Sequence, residues 1–219
     1  MPELKILIVD DEAPARARMR ELLGDIRDEV PNCVVGEAEN GIAAINRLAD
    51  DAPDVVLADI RMPKMDGIEL ARHLATLPNP PAVIFATAYD AYAMQAFDLN
   101  AVDYLLKPVR AARLAAALGK ARMLHPPAPA MLATLAALQP EGRSHLSCHE
   151  RGRLLLVPVA DILYLKADLK YVTARTKERE YLLDESLMHL ETEFAARFIR
   201  LHRSALVAKD AITGFERNT

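Results

Sequence analysis

The sequence predicts an α/β chain: a doubly wound parallel sheet of five βα units, followed by a mostly antiparallel β domain. Two observations support this fold class. Within residues 1–122, short apolar, β-branched runs alternate with segments of helical periodicity, and strands that are apolar throughout form parallel sheets covered by helices on both faces. From residue 143 onwards, short runs with β-branched and aromatic residues are broken by charged turns, which is typical of antiparallel hairpins.

The first domain, residues 1–122, contains five predicted strands, and a segment of helical periodicity follows each one. Pro14 suits a first helical turn, and Asn40 and Asp66 are residue types that cap helix N-termini. The predicted strands are KILIVD (5–10), CVVGEA (33–38), DVVLAD (54–59), AVIFAT (82–87) and AVDYLL (101–106). The predicted helices are 13–25, 40–51, 66–77, 90–100 and 110–124.

A proline-rich linker is predicted at residues 123–142, because the prolines of HPPAPA (125–130) cannot continue a helix. The second domain is predicted to cover residues 143–219. One helix is expected there, at 185–194, where Leu187, Leu190 and Phe194 recur with helical spacing. The predicted strands are 145–150, 152–159, 161–168, 170–176, 179–185 and two short strands within 197–215.

The composition excludes several classes of protein. The chain has 219 residues, of which 52% are hydrophobic and 26% charged, as in ordinary globular proteins. No apolar run is long enough to span a membrane, and the N-terminal MPELKILIVDDE turns acidic where a signal peptide would be apolar. Cys33 and Cys148 are too far apart to indicate a disulfide framework. The sequence therefore predicts a cytoplasmic protein that does not enter a membrane.

Polar side chains stand at the carboxyl ends of four predicted strands. In the usual strand order 2-1-3-4-5, strands 1, 3, 4 and 5 converge on the crevice where an open parallel sheet binds ligands. Each of these residue types, taken alone, is most often a cap or a turn residue. Their joint occurrence at successive strand ends favours a functional site made of Asp10, Asp11, Asp59, Thr87 and Lys107.

The residue types in this crevice predict phosphoryl transfer with Mg²⁺. Three neighbouring carboxylates need a compensating cation, and oxygen ligands in a water-exposed site suit Mg²⁺, which also binds phosphate. Asp59 stands alone at the end of the central strand and is the predicted nucleophile. The Thr87 hydroxyl and the Lys107 ammonium would stabilise a phosphoryl group on it.

The segments LIVDDE, LADIRMPKMDGIEL, VIFATAY and AVDYLLKPV resemble the receiver domains of two-component response regulators. The resemblance covers about residues 3–122. It implies that Asp59 accepts a phosphoryl group from a sensor histidine kinase. It also implies a Mg²⁺ site formed by Asp10 through water, Asp11, Asp59 and the backbone carbonyl of Arg61.

The same resemblance implies a switch. Phosphorylation adds nearly two negative charges; Thr87 would move onto the phosphoryl group, and Tyr104 would pack into the space that Thr87 leaves. A cis bond is implied between Lys107 and Pro108, the bond type for which cis costs least. The face made by the fourth helix, fifth strand and fifth helix would rearrange, and through it the chain is expected to form a homodimer.

The most informative stretch of the second domain is RFIRLHRSALVAK (197–209), where basic residues surround a short apolar core. A small packing domain would explain the periodicity as well; an enzyme is disfavoured because no nucleotide loop, GxSxG motif or zinc spacing occurs. With ILYLKADLKYVTART and EYLLDESLMHLE, the stretch resembles LytTR DNA-binding domains. The loops at 168–170 and 202–204 would then enter successive major grooves of promoter DNA, with contacts from Lys170, Arg200, His202, Arg203 and Ser204.

The predicted function is a response regulator of a two-component phosphorelay that regulates transcription. No enzyme activity is expected beyond Mg²⁺-dependent self-phosphorylation and self-dephosphorylation; a phosphatase is disfavoured because VDDE lacks an Asp-x-Asp spacing. The resemblance also implies further strands after AITGFERNT, so the LytTR-type domain is expected to be incomplete, with an open edge and weakened DNA binding. The alternative is therefore a receiver whose output domain binds proteins and no longer binds DNA.

Overall fold

The computed structural model describes residues 3–88, 103–123, 142–168, 170–212 and 214. The chain divides into two compact units, Met1–Pro140 and Glu141–Thr219. The predicted helix at 90–100 and most of the predicted linker lie outside the described residues. The exact boundaries at 122 and 143 therefore stay predictions.

A parallel sheet of five strands forms the centre of the first unit, in the order β2-β1-β3-β4-β5. The prediction of a doubly wound sheet with this strand order is confirmed. All residues of β3 and β4 are buried, which explains why these strands are apolar without alternation. The strands are β1 (Leu4–Val9), β2 (Asn32–Ala38), β3 (Val55–Ala58), β4 (Ala82–Thr87) and β5 (Asp103–Leu106).

Four helices of the first unit lie within the described residues: α1 (Ala13–Asp25), α2 (Gly41–Asp51), α3 (Gly67–Leu74) and α4 (Ala111–Met123). The predicted caps are present. The side chain of Asn40 accepts from the backbone N–H of Ala43 at 2.9 Å, and that of Asp66 accepts from the N–H of Glu69 at 2.8 Å. No helix in the described part of the chain is long and apolar enough to cross a membrane.

The core of the first unit fixes where the strands end. Ile6 and Ile8 of β1 pack in one cluster with Leu22 of α1 and Leu118 of α4. Leu7, the residue between Ile6 and Ile8, is also fully buried, because successive strand residues point to opposite faces and both faces are covered. Burying each such side chain contributes about 1.5–3 kcal/mol, so the strand ends are held by a rigid scaffold.

Two antiparallel sheets form the second unit: one of five strands in the order β10-β9-β8-β12-β11, and one of two strands, β6 and β7. The predicted change from parallel to antiparallel structure is confirmed. The strands are β6 (His145–Glu150), β7 (Arg153–Pro158), β8 (Tyr164–Asp168), β9 (Tyr171–Arg175), β10 (Glu180–Leu183), β11 (Phe198–His202) and β12 (Ala205–Ala208).

The predicted helix of the second unit is also present, as α5 (Leu187–Glu193). Ser186 caps it by accepting from the N–H of His189 at 3.2 Å. Leu190 and Phe194 are buried in the core of this unit, and the rings of Phe194 and Phe198 meet edge to face at 6.3 Å. These contacts fix α5 against β11.

Candidate functional site

Backbone hydrogen bonds bring the predicted residues of the first unit to one edge of the sheet. The N–H of Asp59 donates to the carbonyl of Val9 at 2.8 Å, and the N–H of Lys107 donates to the carbonyl of Thr87 at 2.8 Å. The first bond joins the end of β3 to the end of β1, and the second joins the residue after β5 to the end of β4. The four strand ends therefore form one crevice.

The Lys107 ammonium lies between two carboxylates in this crevice. Its Nζ is 2.6 Å from Asp10 Oδ2 and 2.7 Å from Asp59 Oδ2. The three side chains are 22%, 8% and 12% exposed, respectively. Burial works to lower the pKa of Lys107, but its hydrogen bonds and attraction to Asp10 and Asp59 outweigh burial and raise that pKa above its ordinary value.

The acidic residues of the crevice fit a hard divalent cation. One carboxylate oxygen each from Asp10, Asp11 and Asp59 lies within 4.8 Å of the others. A purely oxygen donor set suits Mg²⁺, which takes few protein ligands and retains water. Asp11 is exposed, which leaves a side of the cluster open to water. Arg61 is held nearby, because its backbone N–H donates to Asp59 Oδ1 at 3.4 Å.

Thr87 and Tyr104 lie on the neighbouring strands β4 and β5. Thr87 is fully buried, and among the described residues its Oγ1 has no hydrogen-bond partner. A buried hydroxyl without a partner is costly, so this atom has capacity for one more polar group. Tyr104 on the neighbouring strand pairs with Phe85 and is 5% exposed. The Lys107–Pro108 peptide bond is cis, as implied.

Arg16 belongs to the crevice although the sequence did not indicate it. Its Nη1 donates to the backbone carbonyl of Asp10 at 2.7 Å and to that of Asp11 at 3.4 Å. Its Nε donates to Glu37 Oε2 at 3.2 Å. The guanidinium therefore fixes the backbone of the two acids. No signal distinguished it, since α1 carries three arginines at alternate positions.

Gly67 is a second residue that sequence reasoning missed. A Cβ atom there would overlap the backbone carbonyl oxygen of Asp59, and the N–H of Gly67 donates to the carbonyl of Ile60 at 2.9 Å. Only glycine allows the start of α3 to approach the Asp59 loop this closely. The available signal was a glycine directly after the cap Asp66.

In the second unit, the two predicted DNA-contacting segments lie side by side. The turn after β11 and the loop after β8 meet where the N–H of Ala167 donates to the carbonyl of Ser204 at 2.8 Å. The expectation that the two segments enter successive major grooves of DNA stays a prediction.

The side chains predicted to contact DNA divide into two groups. Lys170 and Arg203 are exposed, and the Lys170 ammonium lies 5.5 Å from the centre of the Tyr171 ring. Arg200, His202 and Ser204 have contacts within the protein. His202 Nδ1 lies 2.8 Å from Ser204 Oγ, and Arg200 Nε donates to Glu191 Oε2 at 2.8 Å.

A second group of side chains that could bind a metal ion lies around Arg143, outside the predicted sites. Glu185, His189 and Glu193 each offer an atom within 4.8 Å of the others. The space between the acids holds the Arg143 guanidinium, which is 2.6 Å from Glu185 Oε2 and 2.8 Å from Glu193 Oε2. The cluster therefore already has its compensating cation.

Comparisons with known proteins agree with this division. Residues 6–119 match the response regulator receiver domain family, and residues 152–219 match the LytTr DNA-binding domain family. The positive alginate biosynthesis regulatory protein of Pseudomonas aeruginosa is 43% identical over 218 residues, which cover 98% of this chain and 86% of that protein. The chain belongs to the LytTR family of response regulators.

Other known proteins are also similar to this chain. The sensory transduction protein LytT of Bacillus subtilis is 32% identical over 215 residues, covering 95% of this chain and 84% of LytT. Among solved structures, the RcsB response regulator of Salmonella typhimurium aligns with a TM-score of 0.50 and 26% identity, covering 67% of this chain and 71% of RcsB.

This LytTR response regulator therefore acts in a two-component phosphorelay and regulates transcription. The receiver domain implies a histidine kinase as partner, and the LytTR domain implies DNA. Its output domain matches a DNA-binding family. The same match disfavours the alternative of an output domain that binds only proteins.

Proposed function

We propose that Asp59 is the phosphoacceptor of this response regulator. The observation that supports this most strongly is the Lys107 ammonium, which holds Asp59 Oδ2 at 2.7 Å and Asp10 Oδ2 at 2.6 Å. Asp59 directly follows β3, and its carboxylate lies next to those of Asp10 and Asp11. In the proposed reaction an Asp59 oxygen bonds to phosphorus as the nitrogen–phosphorus bond of the kinase's phosphohistidine breaks.

A Mg²⁺ ion bound by Asp10, Asp11 and Asp59, with the backbone carbonyl of Arg61, would neutralise charge on the transferred phosphoryl group. Two side chains of the protein would contact the phosphoryl group directly. Lys107 would turn from the Asp59 carboxylate to a phosphoryl oxygen, and Thr87 Oγ1 would donate to another. The absence of a described hydrogen-bond partner for Thr87 Oγ1 supports this role.

The switch would pass from Thr87 to Tyr104. The two residues stand on paired strands, β4 and β5, and Tyr104 is buried at 5% exposure. If Thr87 moves toward the phosphoryl group, the Tyr104 ring gains room to follow. We expect this to change the face to which β5 and α4 contribute and to favour a homodimer through that face. The predicted helix at 90–100, which the same expectation includes, lies outside the described residues. The charge change is local, and the response is a change in packing.

The DNA contacts are proposed for the turn after β11 and the loop after β8. Exposed cations at Lys170 and Arg203 suit phosphate oxygens or guanine, and His202 and Ser204 add smaller polar groups beside them. Because DNA is the proposed ligand, the cytoplasm is the proposed location. Arg200 also lies here, but its guanidinium donates to Glu191 and to the Arg203 carbonyl.

Intact-mass spectrometry after incubation with acetyl phosphate and Mg²⁺ tests the phosphoacceptor. The wild-type chain should gain the mass of one phosphoryl group, and Asp59→Asn should gain none. The matched control is Asp54→Asn, because Asp54 stands at the opposite end of β3, where its Oδ2 accepts from the N–H of Lys5 at 2.9 Å. The assignment is wrong if Asp59→Asn is phosphorylated as readily as Asp54→Asn.

A further inference from the structure

Arg200 of β11 is engaged with the protein itself. Its Nε donates to Glu191 Oε2 of α5 at 2.8 Å, and its Nη1 donates to the backbone carbonyl of Arg203 at 2.8 Å. The side chains of Arg200 and Glu191 are 32% and 39% exposed. One guanidinium thus connects α5 with the middle of the turn that follows β11.

The turn needs such a connection because it is irregular. In the pairing of β11 with β12, Arg200 is opposite Leu206 and His202 is opposite Ala205, so the register shifts between Arg200 and His202. An extra residue in one strand disrupts the ladder and re-aims the side chains around it. The Arg200 hydrogen bond to the Arg203 carbonyl stabilises the backbone just beyond this shift.

The other side of the turn is fixed by His202. The backbone N–H of Ser204 donates to His202 Nδ1 at 3.2 Å, which requires Nδ1 to be an acceptor. Nε2, the other ring nitrogen of His202, takes no part in this contact. With both ends of the turn held, His202 and Arg203 are its exposed side chains for a DNA ligand, and the half-buried Ser204 hydroxyl lies beside them.

The negative charge of Glu191 beside Arg200 also argues against a direct contact between Arg200 and DNA. Contact with a base or phosphate through the bound edge of the guanidinium would require Arg200 to give up Glu191 and the Arg203 carbonyl, and hydrogen bonds to a charged group contribute about 1.5–3 kcal/mol. Leaving the Glu191 carboxylate beside DNA would add repulsion. Arg203 has no such competing contact among those found in the described residues.

We infer that Arg200 is a positioning residue: held by Glu191, it orients the turn so that His202 and Arg203 meet DNA. This inference depends on the proposed DNA contacts of the turn. It assigns to Glu191, an acid on α5, a part in DNA recognition, and it reassigns Arg200 from the predicted contacting residues to the residues that support them.

The test compares Glu191→Gln and Arg200→Lys in the full chain. The wild-type chain first selects a duplex from a randomised pool, and dissociation constants are then measured for that duplex and for an unrelated one over a range of KCl concentrations. Glu191→Gln should weaken the selected duplex about tenfold, the effect of losing one charge-assisted hydrogen bond. For this variant, the slope of the logarithm of affinity against the logarithm of salt concentration should equal that of the wild type, because no phosphate contact is removed.

A direct contact by Arg200 gives the opposite result. Removing the negative charge of Glu191 would free the guanidinium, so Glu191→Gln would bind DNA as tightly as the wild type or more tightly. Arg200→Lys separates the two roles further: a lysine retains the charge that a phosphate contact needs, but it lacks the fork that joins Glu191 to the Arg203 carbonyl. We expect Arg200→Lys to match Glu191→Gln, and the double variant to lose no more than either single variant.

Glu150→Gln is the matched control. Glu150 pairs with Arg179 at 3.0 Å, and both side chains are exposed to a similar extent as those of Glu191 and Arg200. Arg179 lies beyond the end of β9 that is remote from Lys170. Loss of the Glu150–Arg179 pair should therefore leave both dissociation constants unchanged. Failure of the proposed DNA contacts and failure of the role of Arg200 give different results. If the wild-type chain selects no sequence, the proposed DNA contacts fail, and this inference with them. If the wild type selects a duplex that Glu191→Gln binds equally well, the role of Arg200 alone is refuted.

Discussion

Lys107 in the first unit and Arg143 in the second each neutralise two neighbouring carboxylates, but the two clusters differ in their capacity to bind a further cation. Each cation lies between two carboxylates, and each is next to a cluster of acids close enough to hold a metal ion. Lys107 bonds one oxygen of Asp10 and one of Asp59. Arg143 bonds both oxygens of Glu185 and both of Glu193.

The two clusters differ in how many carboxylate oxygens remain to bind another cation. A lysine ammonium is a point charge on a flexible stem, whereas a guanidinium makes planar, bidentate contacts that fix its partners. The carboxylates around Lys107 keep oxygens for a divalent ion, and Asp11 remains outside the ion pairs. Around Arg143 the oxygens are taken, and its side chain is only 6% exposed. The first cluster is therefore suited to exchange its cation, and the second to stabilise the fold.

The largest expected effect is on stability, for Arg143→Ala. Removing one partner from a buried ion pair leaves uncompensated charge and costs about 3–5 kcal/mol. Hydrogen exchange of peptides from β6 and α5, followed by mass spectrometry, should show this loss in the second unit and little change in β1 and β3. Arg143→Lys should recover part of the stability, because a lysine cannot bond four oxygens.

Arg179→Ala is the control for Arg143→Ala. Arg179 also pairs with a glutamate in the second unit, but both side chains are exposed, and exposed pairs contribute little to stability. Its exchange pattern should match that of the wild type. Equal effects of the two alanine variants would contradict the structural role assigned to Arg143.

A smaller effect is expected for Lys107→Met, and Mg²⁺ should reduce it. Without the ammonium, Asp10 and Asp59 repel each other, so the metal-free first unit should lose about 1–3 kcal/mol. Mg²⁺ supplies the missing charge, so the variant should bind Mg²⁺ more tightly than the wild type in a calorimetric titration. Weaker Mg²⁺ binding by the variant would show that Lys107 does not compete with the metal.

The sign of the pH dependence follows from the raised pKa of Lys107. A cation whose pKa is raised in the folded state stabilises the protein fully below its unfolded-state value of about 10.4, and this contribution is lost as the pH rises through the folded-state pKa. The difference in stability between wild type and Lys107→Met should thus be constant near neutral pH and shrink only in strongly alkaline solution.

Most residues of the Lys107 cluster could be predicted from the sequence, whereas the Arg143 cluster could not. Asp10, Asp59, Thr87 and Lys107 could be found because each follows an apolar strand, and the ends of parallel strands meet at one edge of the sheet. Arg143 could not be found, because its partners Glu185 and Glu193 lie 42 and 50 residues further along the chain, among ordinary patterns of charged residues. The same holds for Arg200, whose basic character predicted a DNA contact while its partner Glu191 lies on a helix.

Arg16 is the clearest case of a residue that only the structure reveals, and it gives the smallest predicted effect. Its hydrogen bonds to the Asp10 and Asp11 carbonyls fix the backbone that presents two proposed Mg²⁺ ligands. Arg16→Gln should therefore weaken Mg²⁺ binding about tenfold or less, roughly 1 kcal/mol, the value of a typical hydrogen bond.

Arg18→Gln provides the comparison for Arg16→Gln on the same helix. Arg18 is 62% exposed and pairs only with Glu21 at 3.0 Å in the described structure, so its loss should leave the Mg²⁺ affinity unchanged. Both variants remove one positive charge from α1, but only Arg16→Gln removes the hydrogen bonds to the Asp10 and Asp11 carbonyls. Equal Mg²⁺ affinities in a calorimetric titration would mean that the rigid strands alone hold Asp10 and Asp11 in place, and that the crevice needs no support from α1.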